Sequence, residues 1–152
     1  MPNTYTQLHI QIVFAVKHRQ SLIEESQREA IEKYICGIIS KHKCKPLAIY
    51  CNPDHTHLLI GLHPAVAISD IVRAVKASSS KHIKDAHINP FFSWQDGYAA
   101  FSYSRKHVGN VVRYILNQHE HHAKQSFKDE LINTYKEHDI DYNERYLFDW
   151  IE

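Results

Sequence analysis

The stretch LAIYCNPDHTHLLIGL, residues 47 to 62, constrains the fold more than any other part of this chain. Apolar residues alternate up to Cys51, and a second apolar run extends from His55 to about Leu62. Asn52-Pro53-Asp54 separates the two runs, and these residue types favour tight turns. The pattern therefore predicts two antiparallel strands joined as a hairpin.

The remaining periodic segments predict the order of strands and helices before and after this hairpin. We expect a strand over residues 8–16, a helix from a capping box at Ser21 to about Lys41, a helix over about 69–84, a strand over 98–103 and a helix from Ser104 to about His121. The order β-α-β-β-α-β plus a C-terminal helix predicts an α+β, ferredoxin-like (RRM-like) antiparallel sheet. Two helices would cover one face and leave the other for the last helix or a ligand.

Length and charge predict one domain with an acidic end. The chain has 152 residues and a net charge of +1, which divides into +6 for residues 1–125 and −5 for residues 126–152. We therefore assign 1–125 as the functional domain and 126–152 as an acidic tail of the same domain. Three cysteines without a CxxC pair, and no stretch long and apolar enough to span a bilayer, predict a cytoplasmic protein without membrane association.

His55 and His57 are the first candidate site residues. Side chains of a strand alternate between faces, so both imidazoles point to the face of Leu59, while Thr56 and Leu58 point to the other. Two histidines at i and i+2 on a rigid strand can chelate one divalent metal ion. The alternative is two polar histidines on an uncovered sheet face.

The neighbours of the two histidines exclude several classes of enzyme. A histidine-triad hydrolase requires a third alternate histidine where Leu59 stands, and a two-histidine phosphoesterase requires His-x-Thr or His-x-Ser twice. An amidohydrolase places this motif in a barrel that 152 residues cannot build.

The last predicted helix supplies two further candidates. Tyr114 and Gln118 are four residues apart and lie one above the other on the flank of an apolar arc. A helix lying across the open face of the sheet would bring both side chains towards His55 and His57. The alternative for Tyr114 alone is a boundary aromatic residue.

Three segments, PDHTHLLI, WQDGYAAFSYS and YILNQ, resemble the single-tyrosine HUH transposases of small bacterial insertion sequences. The resemblance covers nearly the whole chain. Thr56 departs from the motif, because the middle residue of HUH is normally apolar. Since Thr56 faces the predicted core, we expect packing rather than chemistry to respond to this difference.

The resemblance implies a mechanism for each candidate residue. His55 and His57 would hold a divalent metal ion, Mg²⁺ or Mn²⁺, with Gln118 as third ligand, and the metal would polarise a phosphate of single-stranded DNA. Tyr114 would attack phosphorus and form a 5′-phosphotyrosine intermediate. The implied partners are the hairpin ends of a mobile element and a second copy of the chain in a homodimer. The chain has no GxxxxGK[ST] phosphate loop, in agreement with chemistry that needs no ATP.

Basic residues provide candidates for DNA contact. Four of them lie within one arc of the second predicted helix, where they could contact the phosphates of DNA. An equally good interpretation of this arc is an ordinary solvated face. The first set is Arg73, Lys76, Lys81 and Lys84, and the second set, outside that helix, is Arg105, Lys106 and Arg113.

Two alternative functions stay open. One is a domesticated relative that nicks hairpin repeats without moving an element of its own. The other is a non-catalytic, ferredoxin-like RNA-binding module, which would place exposed aromatic residues on its central strands. The third predicted strand has His55, His57 and Leu59 at those positions, so the sequence favours the enzyme.

Overall fold

The computed structural model describes residues 3–19, 22–86, 88–122 and 126–142. Its strands and helices are β1 (His9–Ala15), α1 (Glu25–Lys41), β2 (Lys45–Cys51), β3 (His55–Gly61), α2 (Ile68–Asp85), β4 (Ala99–Tyr103), α3 (Val108–Leu116), α4 (Gln118–His122) and α5 (Phe127–Glu137). Short 3-10 turns occur at Lys17–Arg19 and Arg105–His107. The predicted α+β class and the order of its first six elements are confirmed.

The four strands form one antiparallel sheet in the order β2-β3-β1-β4. β1 lies at the centre, with Ile12 opposite Leu58 of β3 and opposite Ala100 of β4. β2 and β3 form the predicted hairpin, and the Asn52 amide N–H donates to the His55 carbonyl across its turn. The strand that begins with the histidines is thus held on both sides.

One face of the sheet packs against α1 and α2. Alternate residues of β1 and β3 meet the apolar sides of these two helices in a continuous cluster, which includes Ile12, Phe14, Leu58, Ile60, Ile31, Ile35, Ile39, Ile71 and Val75. Each such side chain contributes roughly 1.5–3 kcal/mol when it is fully buried. This face forms the main core, and Thr56 lies in it, fully buried as expected.

The other face is covered by α3 and α5. Val108, Val111 and Ile115 of α3 pack on Leu59 of β3 and Ala48 of β2. In a second cluster, Phe127 and Leu131 of α5 pack on residues of β1 and β4, namely Val13, Ala15, Ala99 and Phe101. The extra helix therefore lies on the face that the sequence left open, and α5 lies beside it.

Two differences from the predicted elements concern the C-terminal half. The helix expected up to His121 is interrupted at Asn117, which ends α3 in a non-helical conformation before α4 begins. α5 was not predicted. Its N-terminus is capped by Ser126, whose hydroxyl accepts the N–H of Asp129 at 3.2 Å.

The N-termini of the first two helices also differ in detail. α2 begins at Ile68, with Ala67 in place of the expected cap Ser69, and has no side-chain cap. The expected start of α1 at a Ser21 capping box is wrong, because the helix begins at Glu25 with Glu24 at the N-cap position and no side-chain cap. Ser21 itself lies outside the described residues. Within the ranges that the structure describes, no helix combines the length and the apolar character needed to cross a bilayer.

Candidate metal and nucleophile site

β3 positions the two histidines by its alternation. His55 and His57 are 1% and 3% exposed, on the face covered by α3 and α5. The Nδ1 atom of His55 lies 2.6 Å from Oδ1 of Asp54, the last turn residue of the hairpin. Gln11 of β1 donates its amide to Nδ1 of His57 at 3.0 Å. Such partners fix the rings so that each Nε2 atom faces the interior of the site.

Glu130 of α5 connects the site residues. It is 3% exposed, and its Oε1 atom lies 2.8 Å from Nε2 of His57 and 3.8 Å from Nε2 of His55. Its Oε2 atom accepts hydrogen bonds from the hydroxyl of Tyr114 and, at 3.3 Å, from Nε2 of Gln118. A single carboxylate therefore contacts the four residues that the sequence selected.

Sequence reasoning missed Glu130, although a signal for its helix exists. Ser126 stands three residues before Asp129, as in a capping box, and Phe127, Leu131 and Tyr135 recur every four residues. This pattern predicts an amphipathic helix. It does not single out one of the acidic residues as buried.

Tyr114 lies beside His57, with ring centroids 5.9 Å apart. Burial raises the pKa of Tyr114, and the neighbouring Glu130 carboxylate raises it further. The hydroxyl is therefore protonated at neutral pH, and it directs its hydrogen to Glu130. The helical pairing with Gln118 persists across the break at Asn117, since both side chains reach the same carboxylate.

Gln118 is fully buried within the site. Its Oε1 atom accepts from Nδ2 of Asn52 at 3.2 Å, and the same nitrogen lies 3.2 Å from Nε2 of His55. The amide oxygen proposed as a metal ligand is thus on the histidine side of the site, bonded to Asn52. Its role as a ligand stays a prediction.

The donor set fits one divalent metal ion. The ligand atoms of His55, His57 and Glu130 all lie within 4.8 Å of one another, and all three residues are buried. Ligands around one ion with bonds near 2.1 Å are separated by roughly 3 to 4 Å, so small side-chain movements would complete the site. An ion would take the place of the hydrogen between His57 and Glu130.

Phe127 closes the site from the side of α5. Its ring stacks on the imidazole of His55, with centroids 3.7 Å apart and planes 10° from parallel. Phe127 is itself buried in the cluster between α5 and the sheet. The first turn of α5 therefore supplies both an apolar wall, Phe127, and the carboxylate, Glu130.

The basic residues predicted for DNA contact separate into two places. α2 packs on the face of the sheet opposite to the histidines, so Arg73, Lys81 and Lys84 lie exposed behind the site. Lys76 is half-buried and donates to the carbonyls of Gln95 and Gly97, at 2.8 and 2.5 Å. The second set, Arg105, Lys106 and Arg113, is exposed along the turn before α3 and on α3 itself.

Comparison with known proteins identifies the class that this fold and site define. The chain belongs to the IS200-like transposase family, whose model matches residues 4–118. This confirms the resemblance drawn from the sequence. The match ends at Gln118, so Glu130 and all of α5 lie beyond it.

Individual relatives agree with this assignment. The chain is similar to the ISDra2 transposase TnpA of Deinococcus radiodurans, with 24% identity over 122 residues that cover 75% of this chain and 86% of the relative. Among solved structures it is similar to a candidate transposase from Deinococcus radiodurans, with 26% identity, a TM-score of 0.61, and coverage of 78% of this chain and 95% of that one. A REP-associated tyrosine transposase bound to a REP hairpin shares the fold, at 18% identity and a TM-score of 0.59, over 80% of this chain and 73% of that one.

Proposed function

We propose that this transposase-family protein cleaves and rejoins single-stranded DNA at the hairpin ends of an insertion sequence, through a 5′-phosphotyrosine intermediate on Tyr114. One observation supports this most strongly. The hydroxyl of Tyr114 and the Nε2 atom of His57 bond to the two oxygens of one buried carboxylate, Glu130. The candidate nucleophile and a candidate metal ligand thereby meet at one buried carboxylate.

The residues of this chain can perform the cleavage step. Because the Tyr114 hydroxyl is protonated, its attack on phosphorus requires a proton acceptor, and Oε2 of Glu130 already accepts its hydrogen bond. The new bond joins the tyrosine oxygen to phosphorus, and the bond from phosphorus to the 3′-oxygen breaks. The departing 3′-oxygen takes up a proton and becomes a 3′-hydroxyl, which can later attack the phosphotyrosine to rejoin strands.

A divalent ion held by His55 and His57, with Glu130 or Gln118 as a further ligand, would polarise the scissile phosphate. Imidazole ligands favour Mn²⁺ by affinity, whereas cellular abundance favours Mg²⁺. Glu130 is a stronger candidate ligand than Gln118, because its oxygen is in direct contact with His57.

A homodimer remains part of the proposal, although one chain contains the whole site. Tyr114 and His57 meet within the same chain, so no second copy is needed to bring nucleophile and ligands together. Mixing Tyr114→Phe protein with His57→Ala protein tests this point. Cleavage within one chain predicts an inactive mixture, and recovered activity would show that the tyrosine acts between subunits.

Hairpin DNA as the partner is supported by the likeness to the hairpin-bound REP-associated transposase, and by a basic set near the site. A cytoplasmic location is part of the same proposal. A domesticated relative that nicks hairpin repeats would use the same chemistry. Strand transfer separates the two, since a transposase would join the cleaved end to a second DNA and a nicking enzyme would not.

The RNA-binding module is disfavoured by the burial of the central strands. Every residue of β1 is buried, as is every residue of β3 up to Ile60. The most exposed aromatic side chains among the described residues, Tyr5 and Phe91, lie outside these strands. A stacking platform for bases would need exposed aromatics there.

The test is cleavage of a single-stranded hairpin oligonucleotide taken from the DNA that flanks the gene. We expect cleavage with Mn²⁺ or Mg²⁺, and none after treatment with a chelator. The same sequence as a plain duplex is the matched control and should resist cleavage. Equal cleavage by chelator-treated protein would contradict the metal part of the proposal.

A further inference from the structure

A cleft lined mainly by polar residues adjoins the proposed nucleophile, Tyr114, and its described lining includes neither His55 nor His57. It has a volume of about 690 Å³, within the usual range for sites that bind small organic groups. β4 and β1 form its floor, α3 and the turn before it form one wall, and α5 forms the other. Tyr114 and Glu130 line its inner end, so any group in the cleft lies next to the reacting hydroxyl.

The charges of the cleft argue against a phosphate as its occupant. Two of its lining residues are carboxylates, Glu130 and Glu137, and among the residues that the structure describes, none that lines the cleft is a lysine or an arginine. These two carboxylates would repel an anionic group, and Arg113, which donates to Oδ1 of Asn110, is not itself among the described lining residues. A neutral group that donates hydrogen bonds would find acceptors instead.

The remaining lining residues match the edge and the face of a nucleobase. Asn133 presents a side-chain amide from α5, and Glu137 presents a carboxylate one turn further along that helix. Asn110 lies on the opposite wall, with its amide oxygen accepting from Arg113. Amides pair with adenine, and carboxylates accept from the amino group of cytosine. The rings of Tyr103 and His138, with centroids 5.2 Å apart, add aromatic surface to the cleft.

We propose that this cleft holds the base of a nucleotide next to the scissile phosphate, and that it selects adenine or cytosine, which carry an amino group where guanine and thymine carry a carbonyl oxygen. The inference rests on the proposed single-strand cleavage by Tyr114. Asn133 and Glu137 are then specificity-determining residues. Both belong to α5, beyond the residues that match the family, so the preference is a property added by this C-terminal helix.

Cleavage of a hairpin oligonucleotide library, randomised on both sides of the cut, tests the proposal when the products are sequenced. Wild-type protein should prefer adenine or cytosine at one position next to the cut. Asn133→Ala and Glu137→Gln should reduce that preference by roughly 5- to 100-fold. The control Lys136→Gln, an exposed neighbour on the same helix, should keep it.

An abasic nucleotide at the preferred position provides the second measurement. It should slow the wild-type protein, and Asn133→Ala should add no further loss on that substrate, because the contact has already been removed. Cleavage by both variants with the wild-type preference at every position would overturn this inference alone. Failure of wild-type protein to cleave any single strand would overturn the proposed function and this inference with it.

Discussion

The two faces of the sheet bury different chemistry. On β3, Thr56, Leu58 and Ile60 point into the apolar core beneath α1 and α2, whereas His55 and His57, at the alternate positions, point into the site. The same alternation places Gln11 of β1 on the site face. Neighbouring residues of one strand therefore point into surroundings of opposite polarity, apolar on one face of the sheet and polar on the other.

Because of this difference, we expect the apolar face to contribute mainly to folding stability and the polar face mainly to activity. Buried polar groups cost free energy unless they are hydrogen-bonded, and here His55, His57, Gln118 and Glu130 satisfy one another directly or through Asn52. An apolar core would stabilise the sheet more, so a polar network of this size is typical of a functional site. Changes on the site face should affect activity first, and changes on the other face should affect folding first.

The largest effect is expected for His57→Ala. Loss of this imidazole removes a proposed metal ligand. Because even the outer partners of metal ligands are worth 10- to 100-fold, cleavage should fall at least about a hundredfold. Rates should be expressed per folded molecule, because loss of the contacts to Gln11 and Glu130 also costs about 1–3 kcal/mol. Near-normal cleavage by folded His57→Ala would contradict the assignment of the site to this face.

Leu58→Ala is the matched change on the opposite face. Leu58 is 1% exposed in the apolar cluster, so truncation should lower the free energy of unfolding by about 2–5 kcal/mol. Denaturant unfolding measures this loss. Cleavage per folded molecule should remain within a few fold of wild type, and a selective loss of activity would show that the two faces are not separable.

Glu130→Gln tests whether α5 belongs to the site. The substitution keeps the shape of the side chain but removes its charge, so the affinity for Mn²⁺, measured by calorimetry, should fall by at least about tenfold. Asp129→Asn removes a charge from the exposed neighbouring position of α5 and should bind Mn²⁺ normally. Equal affinities in the two variants would place Glu130 outside the metal site.

The smallest effect concerns the two basic sets, which lie on opposite faces. If the strand approaches the site face, alanine at Arg105, Lys106 or Arg113 should flatten the slope of log affinity against log salt by roughly 0.7 to 0.9 per contact. Alanine at Arg73, Lys81 or Lys84 should leave the slope unchanged. The reverse result would locate the DNA behind the sheet, along α2.

Lys76 is predicted to behave differently from the other basic residues. Its ammonium group bonds to two loop carbonyls, and burial lowers its pKa. Lys76 therefore stabilises the loop before β4 through these hydrogen bonds. In that loop Gly97 adopts a φ of 88°, a backbone conformation that favours glycine.

Much of the fold could be predicted because its signals are local. Alternation identified β1 and β3, the Asn-Pro-Asp turn identified the hairpin, and helical spacing paired Tyr114 with Gln118. These patterns depend on residues that are close in sequence. They also assigned His55 and His57 to the correct face.

Glu130 could not be predicted for the same reason. It lies 73 residues from His57, and only the packing of Phe127 and Leu131 on the sheet turns it inwards. Its helix is rich in charged residues, and an inward carboxylate has the same local sequence signature as an outward one. The break at Asn117 was missed because the apolar spacing of α3 runs up to Leu116, directly before it, and Gln118 beyond it keeps the helical pairing with Tyr114.

The central claim is that Tyr114 is the nucleophile, and the identity of the DNA-linked residue tests it most directly. Wild-type protein is incubated with Mn²⁺ and a single-stranded hairpin end, the covalent adduct is digested with trypsin, and the modified peptide is sequenced by mass spectrometry. We predict a nucleotide attached to Tyr114, an adduct of normal yield from Tyr103→Phe, and none from Tyr114→Phe. A nucleotide on Tyr103, or an adduct of normal yield from Tyr114→Phe, would contradict the account.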